Sequence, residues 1–286
     1  MILITGATGH LGGAVIQQLR QKMPVSQIAA FVRDERKAAD LIEQGVTLHT
    51  GTYDDTDALD KAMQGVDKVL LVSGGDADNG LQQHQNVVDA AKKANVGCIA
   101  YTGRSLTDRD SLANQLMVRH FQTEDYIKAS GLRYILFRNS LYMDTIPRFV
   151  GPTVFDRGIS LPAGPGKVAF ALRSEQGEAI ANVLAEANCT SQIYNFTGAE
   201  SYSFDDVAAS LAHLSGKAIL YTPMSTSAFE AKMKQQSIPE VITQRIIDFM
   251  TDIKQGQEEA VSSDLETVLG RKPTGLEAGL KLLYQL

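Results

Sequence analysis

The stretch that most limits what this chain can fold into is Ile2-Leu3-Ile4-Thr5-Gly6-Ala7-Thr8-Gly9-His10-Leu11-Gly12. A short apolar strand runs into a tight turn, and a helix begins at once, with Leu11, Val15, Ile16 and Leu19 on one face. Gly6, Gly9 and Gly12 stand in GxxGxxG spacing, a variant of the dinucleotide-binding fingerprint. Each glycine answers a separate demand. The backbone turns sharply at Gly6, comes close to a pyrophosphate at Gly9, and packs helix on strand at Gly12. The helix N-terminus adds free N–H groups and a partial positive charge facing the anion. Such spacing also occurs in purely structural turns; its place between an apolar and an amphipathic run gives it meaning. Gly6, Ala7, Thr8, Gly9, His10, Leu11 and Gly12 are therefore read as a cofactor loop.

Further strands are expected over 28–32, 46–50, 68–72, 98–102 and 133–138, with helices over 38–44, 56–64, 81–94 and 111–129 between them. This alternation predicts right-handed crossovers and an α/β fold with a Rossmann-type doubly wound parallel sheet. Beyond it, 151–167 is rich in Gly and Pro and reads as loop. Helices are expected over 174–186 and from Ser203-Phe204-Asp205-Asp206, which resembles a capping box, to 214. Residues 192–196 and 219–222 read as strands, and the chain from 227 on as mostly helical. The expected organisation is a dinucleotide-binding domain over 1–150 and a smaller, closely packed substrate-side lobe over 151–286.

Ligands of such sheets gather at the carboxyl ends of the strands. The second strand ends at Arg33, where NAD-specific enzymes usually place an acidic residue on the ribose. A guanidinium there can grip a 2′-phosphate through two parallel hydrogen bonds, and Lys37 adds a second positive charge. NADP is therefore favoured over NAD, although Asp34 stands next door. Ser73, Gly74 and Gly75 are expected beside the ribose and pyrophosphate, and Tyr53 and Asp54 beside the adenine. Tyr101, Thr102 and Gly103 close the fifth strand at the same edge and are counted with the cofactor site.

The formal net charge of -6 gives no reason to expect a nucleic-acid or membrane partner. Cys98 and Cys189 are the two cysteines. Cys98 lies in an apolar run and reads as a small core residue. No Cys/His grouping has metal-ligand spacing, so no metal is expected. The chain opens inside a strand, leaving no room for a signal peptide, and no apolar run is long enough to span a membrane. The expectation is a cytoplasmic protein.

The opening motif together with Val32-Arg33-Asp34 resembles the NmrA-like atypical short-chain dehydrogenase/reductases. The segments 99–103, 137–142 and 162–167 are similar to those of quinone oxidoreductases and triphenylmethane reductases within that family. The resemblance implies an NADPH-dependent reductase, with Phe137, Arg138, Asn139, Ser140, Leu141 and Tyr142 beside the nicotinamide. Arg173 resembles a family arginine near the same cleft, while Leu172 and Gln176 depart from the usual Thr and Asp.

Tyrosine-dependent members of the superfamily need Tyr and Lys four apart on a helix, the lysine lowering the tyrosine pKa for proton transfer. No tyrosine of this chain has Lys at that spacing. Where the pair would fall stands His120-Phe121-Gln122-Thr123-Glu124. His120 and Glu124 share a helix face, either as a proton-relaying pair or as a half-exposed structural one. Removing a hydroxyl proton needs a placed base, whereas a quinone takes hydride and then a proton from water. The missing dyad thus favours an activated acceptor such as a quinone, with Asn139 and Tyr142 available to orient its oxygen or to bond loop backbone. The alternatives are a redox sensor that binds NADP(H) without turnover and a nucleotide-sugar epimerase.

Overall fold

The computed structural model describes residues 1–74 and 79–286. Its first half alternates as expected: β1 (Ile2–Thr5), α1 (His10–Leu19), β2 (Ile28–Val32), α2 (Ala39–Glu43), β3 (Thr47–Thr50), α3 (Thr56–Ala62), β4 (Lys68–Leu71), α4 (Gly80–Lys93), β5 (Cys98–Arg104), α5 (Gln115–Ala129) and β6 (Tyr134–Asn139). Then come α6 (Ile146–Val150), α7 (Val154–Arg157), β7 (Lys167–Val168), α8 (Arg173–Ala185), β8 (Gln192–Phe196), β9 (Tyr202–Ser203) and α9 (Phe204–Ser215). The chain closes with α10 (Thr226–Gln235), α11 (Glu240–Lys254), α12 (Asp264–Leu269) and α13 (Leu276–Tyr284).

Seven strands form one sheet in the order β3-β2-β1-β4-β5-β6-β8. All its neighbours are parallel. The order reverses between β1 and β4, which makes that edge the place for a ligand. Alternate residues of each strand point to opposite faces. One face packs Ile4, Ala30, Ala100 and Phe137 beneath α1 and α8, and the other packs Leu3, Phe31, Tyr101 and Leu136 beneath α3 and α4. Both faces are covered, so the central strands are largely apolar, with polar residues gathered mainly at their ends.

The later part of the chain contributes to this sheet as well as standing over it. β8 pairs with β6 as an edge strand, and α8 packs against α1. A second core, built on Ile146, Val168, Phe170, Phe204, Met250 and Leu280, holds the lobe above the sheet ends. The capping box at Ser203 is formed, its hydroxyl accepting from Asp206 N while the Asp206 carboxylate accepts from Ser203 N.

Three expectations are corrected. Residues 219–222 make a single bridge, Ile159 to Tyr221, instead of a strand; Leu220 is 75% exposed, and past the bridge the pairing continues only through Met224 N donating to Leu161 O among the described residues. The fifth helix starts at Gln115, capped by Asn114, because Ala113 N and Asn114 N donate to Asp252 across the lobes. Cys98 is buried, as its apolar run implies, but it is bonded to Cys189, 91 residues away.

Candidate active site

The turn after β1 has the geometry its glycines require. Gly6 takes φ +58°, which side chains rarely adopt, and accepts a hydrogen bond from Gly9 N at 2.9 Å. A Cβ on Gly12 would stand 2.5 Å from Gly6 O, so only glycine lets α1 approach the turn. Gly9 is the N-cap of α1, with extended backbone and no side-chain cap, which leaves the first N–H groups of the helix for a ligand. Gly6, Thr8 and Gly9 line a cleft of about 870 Å³ at the carboxyl ends of β1 to β4. Ala7, Leu11 and Gly12 are buried and act as its footing, while His10 is exposed at the first position of α1.

Arg33 and Lys37 line the same cleft and are exposed. Asp34, the neighbour that confuses the cofactor signal, is already engaged. Its carboxylate accepts from Arg36 N, Nε and Nη2 at 3.0–3.1 Å, and this pairing holds its pKa below the ordinary value. The acidic group is thus tied to a guanidinium, and Arg33 stands at the lip with no hydrogen bond or ion pair to another described residue.

Tyr53 forms a wall of the cleft. Its hydroxyl donates to Val72 O at 3.0 Å and lies 2.5 Å from Thr5 Oγ1, and burial pushes its pKa up to about 12. Asp54 accepts from Asn79 Nδ2 and Gln83 Nε2 at 2.8 and 2.7 Å, fixing the loop after β3 to α4. Ser73 N donates to Thr102 Oγ1 at 2.9 Å, so two expected cofactor residues meet across β4 and β5. Gly74 N donates to His84 Nε2 at 3.1 Å. Gly75 lies outside the described residues.

The ends of β5 and β6 correct the expected proton relay. Glu124 is not paired with His120. Its buried carboxylate accepts from Arg138 Nε and Nη2 at 2.9 and 2.6 Å, with Lys128 at 3.5 Å. Gly103 makes room for this pair, since a Cβ there would sit 3.1 Å from Glu124 Oε1. His120 Nδ1 instead lies 2.8 Å from the Tyr101 hydroxyl. Burial, then the Arg104 charge, holds His120 well below its ordinary pKa, while burial raises that of Tyr101. The geometry fits a neutral imidazole accepting from a protonated phenol.

The expected substrate segment divides by face. Phe137 is fully buried, stacked between Tyr194 and Phe196 at 5.8 and 5.4 Å. Ser140 is buried and bonded to Phe196 O and Gln176, and Leu141 lies in the second core. These three are framework, and Arg138 is committed to Glu124. Tyr142 and Arg173 are brought together, the guanidinium 4.4 Å above the ring and anchored by Asp144. Asn139 is buried, with its amide beside the Tyr142 hydroxyl.

Three side chains here go beyond the residues named from the sequence. His84 lies 2.8 Å from Thr123 Oγ1 through Nδ1, and burial lowers its pKa to about 4. Arg104, at the end of β5, forms a buried ion pair with Glu258 of the upper lobe. Arg104 directly follows Thr102-Gly103 at a strand end, a position that strand-end reasoning reaches; Glu258 has no local signal.

The model of the NmrA-like family matches residues 1–280. Quinone oxidoreductase 2 of Escherichia coli (strain K12) is 35% identical over 287 aligned residues, covering 100% of this chain and 99% of its own. The structure of Citrobacter sp. triphenylmethane reductase complexed with NADP(H) matches with TM-score 0.91 at 35% identity, covering 99% of both chains. That of the NADPH-dependent quinone oxidoreductase from Escherichia coli complexed with NADPH also gives 0.91 at 35% identity, covering 99% of this chain and 100% of that one. With a match running over nearly its whole length, the chain belongs to the NmrA-like family.

Proposed function

We propose that this chain is an NADPH-dependent reductase that passes hydride to a quinone or a similar electrophilic small molecule. The observation that carries the reading is Arg33, exposed on a cleft floored by an uncapped helix N-terminus, beside an aspartate already tied to Arg36. A 2′-phosphate supplies the partner that this guanidinium lacks. Gly6, Thr8 and Gly9 would hold the pyrophosphate, Arg33 and Lys37 the ribose phosphate, Tyr53 and Asp54 the adenine side, and Ser73 and Gly74 the ribose. Related proteins named for quinone and triphenylmethane reduction support the choice of an electrophilic acceptor.

When bound, the dinucleotide supplies the hydride. The chain's own part is to hold and orient the reactants and to limit water. Tyr101 is kept protonated and His120 neutral, so neither is set to remove a hydroxyl proton near neutral pH. An acceptor that needs no proton removed suits such a site. The quinol oxygen takes its proton from water. A pool of reduced dinucleotide is required, which accords with a cytoplasmic location.

The test is NADPH oxidation followed by absorbance with benzoquinone, naphthoquinone and a cationic triarylmethyl dye. Turnover above buffer with a quinone is expected. No turnover with any acceptor, together with NADPH binding, would leave the sensor reading in its place.

A further inference from the structure

We propose that His84 is a positioning residue for the bound dinucleotide: from α4 it holds the Gly74 amide, and with it the edge of the cleft that would take the ribose. The inference rests on the cofactor reading above and adds to it a residue that does not itself touch the ligand. His84 is 2% exposed, while Gly74 is part of the cleft wall. Residues 73 and 74 follow β4, and side chains hold both of their amides. Ser73 N donates to Thr102 Oγ1 at 2.9 Å, and Gly74 N to His84 Nε2 at 3.1 Å. With both N–H groups used, the backbone left there for a ligand is carbonyl oxygen, an acceptor. Ribose hydroxyls are donors, so the anchored edge has the polarity that the sugar needs. Packing does not fix Gly74 by itself. A Cβ there would meet only ordinary contacts, 3.8 Å from Tyr53 Cε2 and from Gln83 Oε1. The hydrogen bond to His84 supplies the restraint.

The same hydrogen bonds decide which nitrogen of His84 carries the proton. Nε2 accepts from Gly74 N, so the proton of a neutral ring is on Nδ1, 2.8 Å from Thr123 Oγ1. The Thr123 hydroxyl donates in turn to Arg119 O at 2.9 Å, which leaves its oxygen free to accept from His84. Each donor in the row from Gly74 through His84 and Thr123 to Arg119 thus meets one acceptor. The ring stays neutral because it is buried and because the Arg119 charge on α5 stands near. Tyr101 on β5, edge-on at 5.5 Å, and His120 on α5 are the other titratable groups around it, and neither is charged near neutral pH. The start of α4 serves the neighbouring loop as well. Asn79 and Gln83 donate to Asp54, and Asn86 Nδ2 donates to Tyr53 O at 2.9 Å. One helix end therefore carries the supports of two cleft loops, and His84 is the support on the ribose side.

Two substitutions in the full chain separate positioning from plain structure, because glutamine and asparagine each copy one nitrogen of the ring. His84→Gln places an amide oxygen where Nε2 accepts from Gly74 and gives up the bond to Thr123. His84→Asn keeps a donor for Thr123 and gives up the bond to Gly74. Each loses one buried hydrogen bond, so both should lower the melting temperature by similar amounts. Dinucleotide Kd is measured by fluorescence titration with NADPH and with NADH at pH 7. It should stay within about twofold in His84→Gln. In His84→Asn it should rise about 5- to 10-fold, by the same factor for both dinucleotides, since the ribose edge serves both. Equal Kd values in the two variants, or a rise in His84→Asn that NADPH shows and NADH does not, overturns the inference. Nitrogen-15 NMR of the unmodified protein at pH 7 requires no variant to fold. A proton on Nδ1 of His84 and none on Nε2 are expected, and a proton on Nε2 overturns the inference. If neither dinucleotide binds the unmodified protein, the cofactor reading fails first and this inference falls with it.

Discussion

Replacing the Cys98–Cys189 bond is expected to lower the melting temperature by an amount that follows from chain statistics. The bond closes a loop of 91 residues. Loop-closure entropy for that length is about 15 cal/mol/K, or about 4.6 kcal/mol at 25 °C. A chain of 286 residues has an unfolding entropy of about 0.6 kcal/mol/K near its midpoint, so the expected shift is about 8 °C. Cys98 and Cys189 are 1% and 6% exposed, which shields the bond from thiols in the folded state. The perturbation is Cys98→Ala with Cys189→Ala, compared with the oxidised protein by calorimetry without reductant. Alongside it, thiols are counted in protein denatured without reductant, and none is expected. Two titrating thiols would show that the pair is reduced, as disulfides usually are in a reducing cytoplasm. A shift under about 2 °C with the bond present would refute the loop-closure reasoning.

Two further predictions concern single side chains. Arg33→Gln should weaken NADPH by about 10- to 100-fold, the loss of two charge-assisted hydrogen bonds, and NADH by less than about threefold; isothermal titration measures both, and equal effects would remove the 2′-phosphate role. His84 has a folded pKa of about 4, depressed first by burial and then by Arg119. Its neutral form accepts from Gly74 N, so its stabilising effect is full above the unfolded pKa of about 6.5 and is lost as pH falls toward 4, by about 3 kcal/mol. Denaturant titrations at pH 7 and pH 4.5 should show a smaller loss in His84→Gln than in the unmodified protein; the same loss in both would exclude this histidine as the cause.

What is legible in the sequence is local. The turn at Gly6 and Gly12 is written in residues a few positions apart, because a positive φ and a close helix approach each demand glycine on the spot. The six alternating strands follow from apolar runs for the same reason. The His120 and Glu124 reading fails because i,i+4 spacing places two side chains on one face but does not say what faces them. Arg138, arriving on β6, takes the carboxylate first. Phe137 and Arg138 are neighbours in a motif, yet strand alternation sends one into the core and the other toward α5. Arg104 and Glu258 stand 154 residues apart, and Cys98 and Cys189 stand 91 apart. Such pairs exist only once distant segments have packed together, and no periodicity carries them.

The most direct measurement is a fluorescence titration of the purified, unmodified protein with NADPH and with NADH. Saturable NADPH binding, at least about tenfold tighter than NADH, is expected from a glycine turn whose lip presents Arg33 to a phosphate. No saturable binding of NADPH, or equal affinity for the two, would contradict the reading of the cleft.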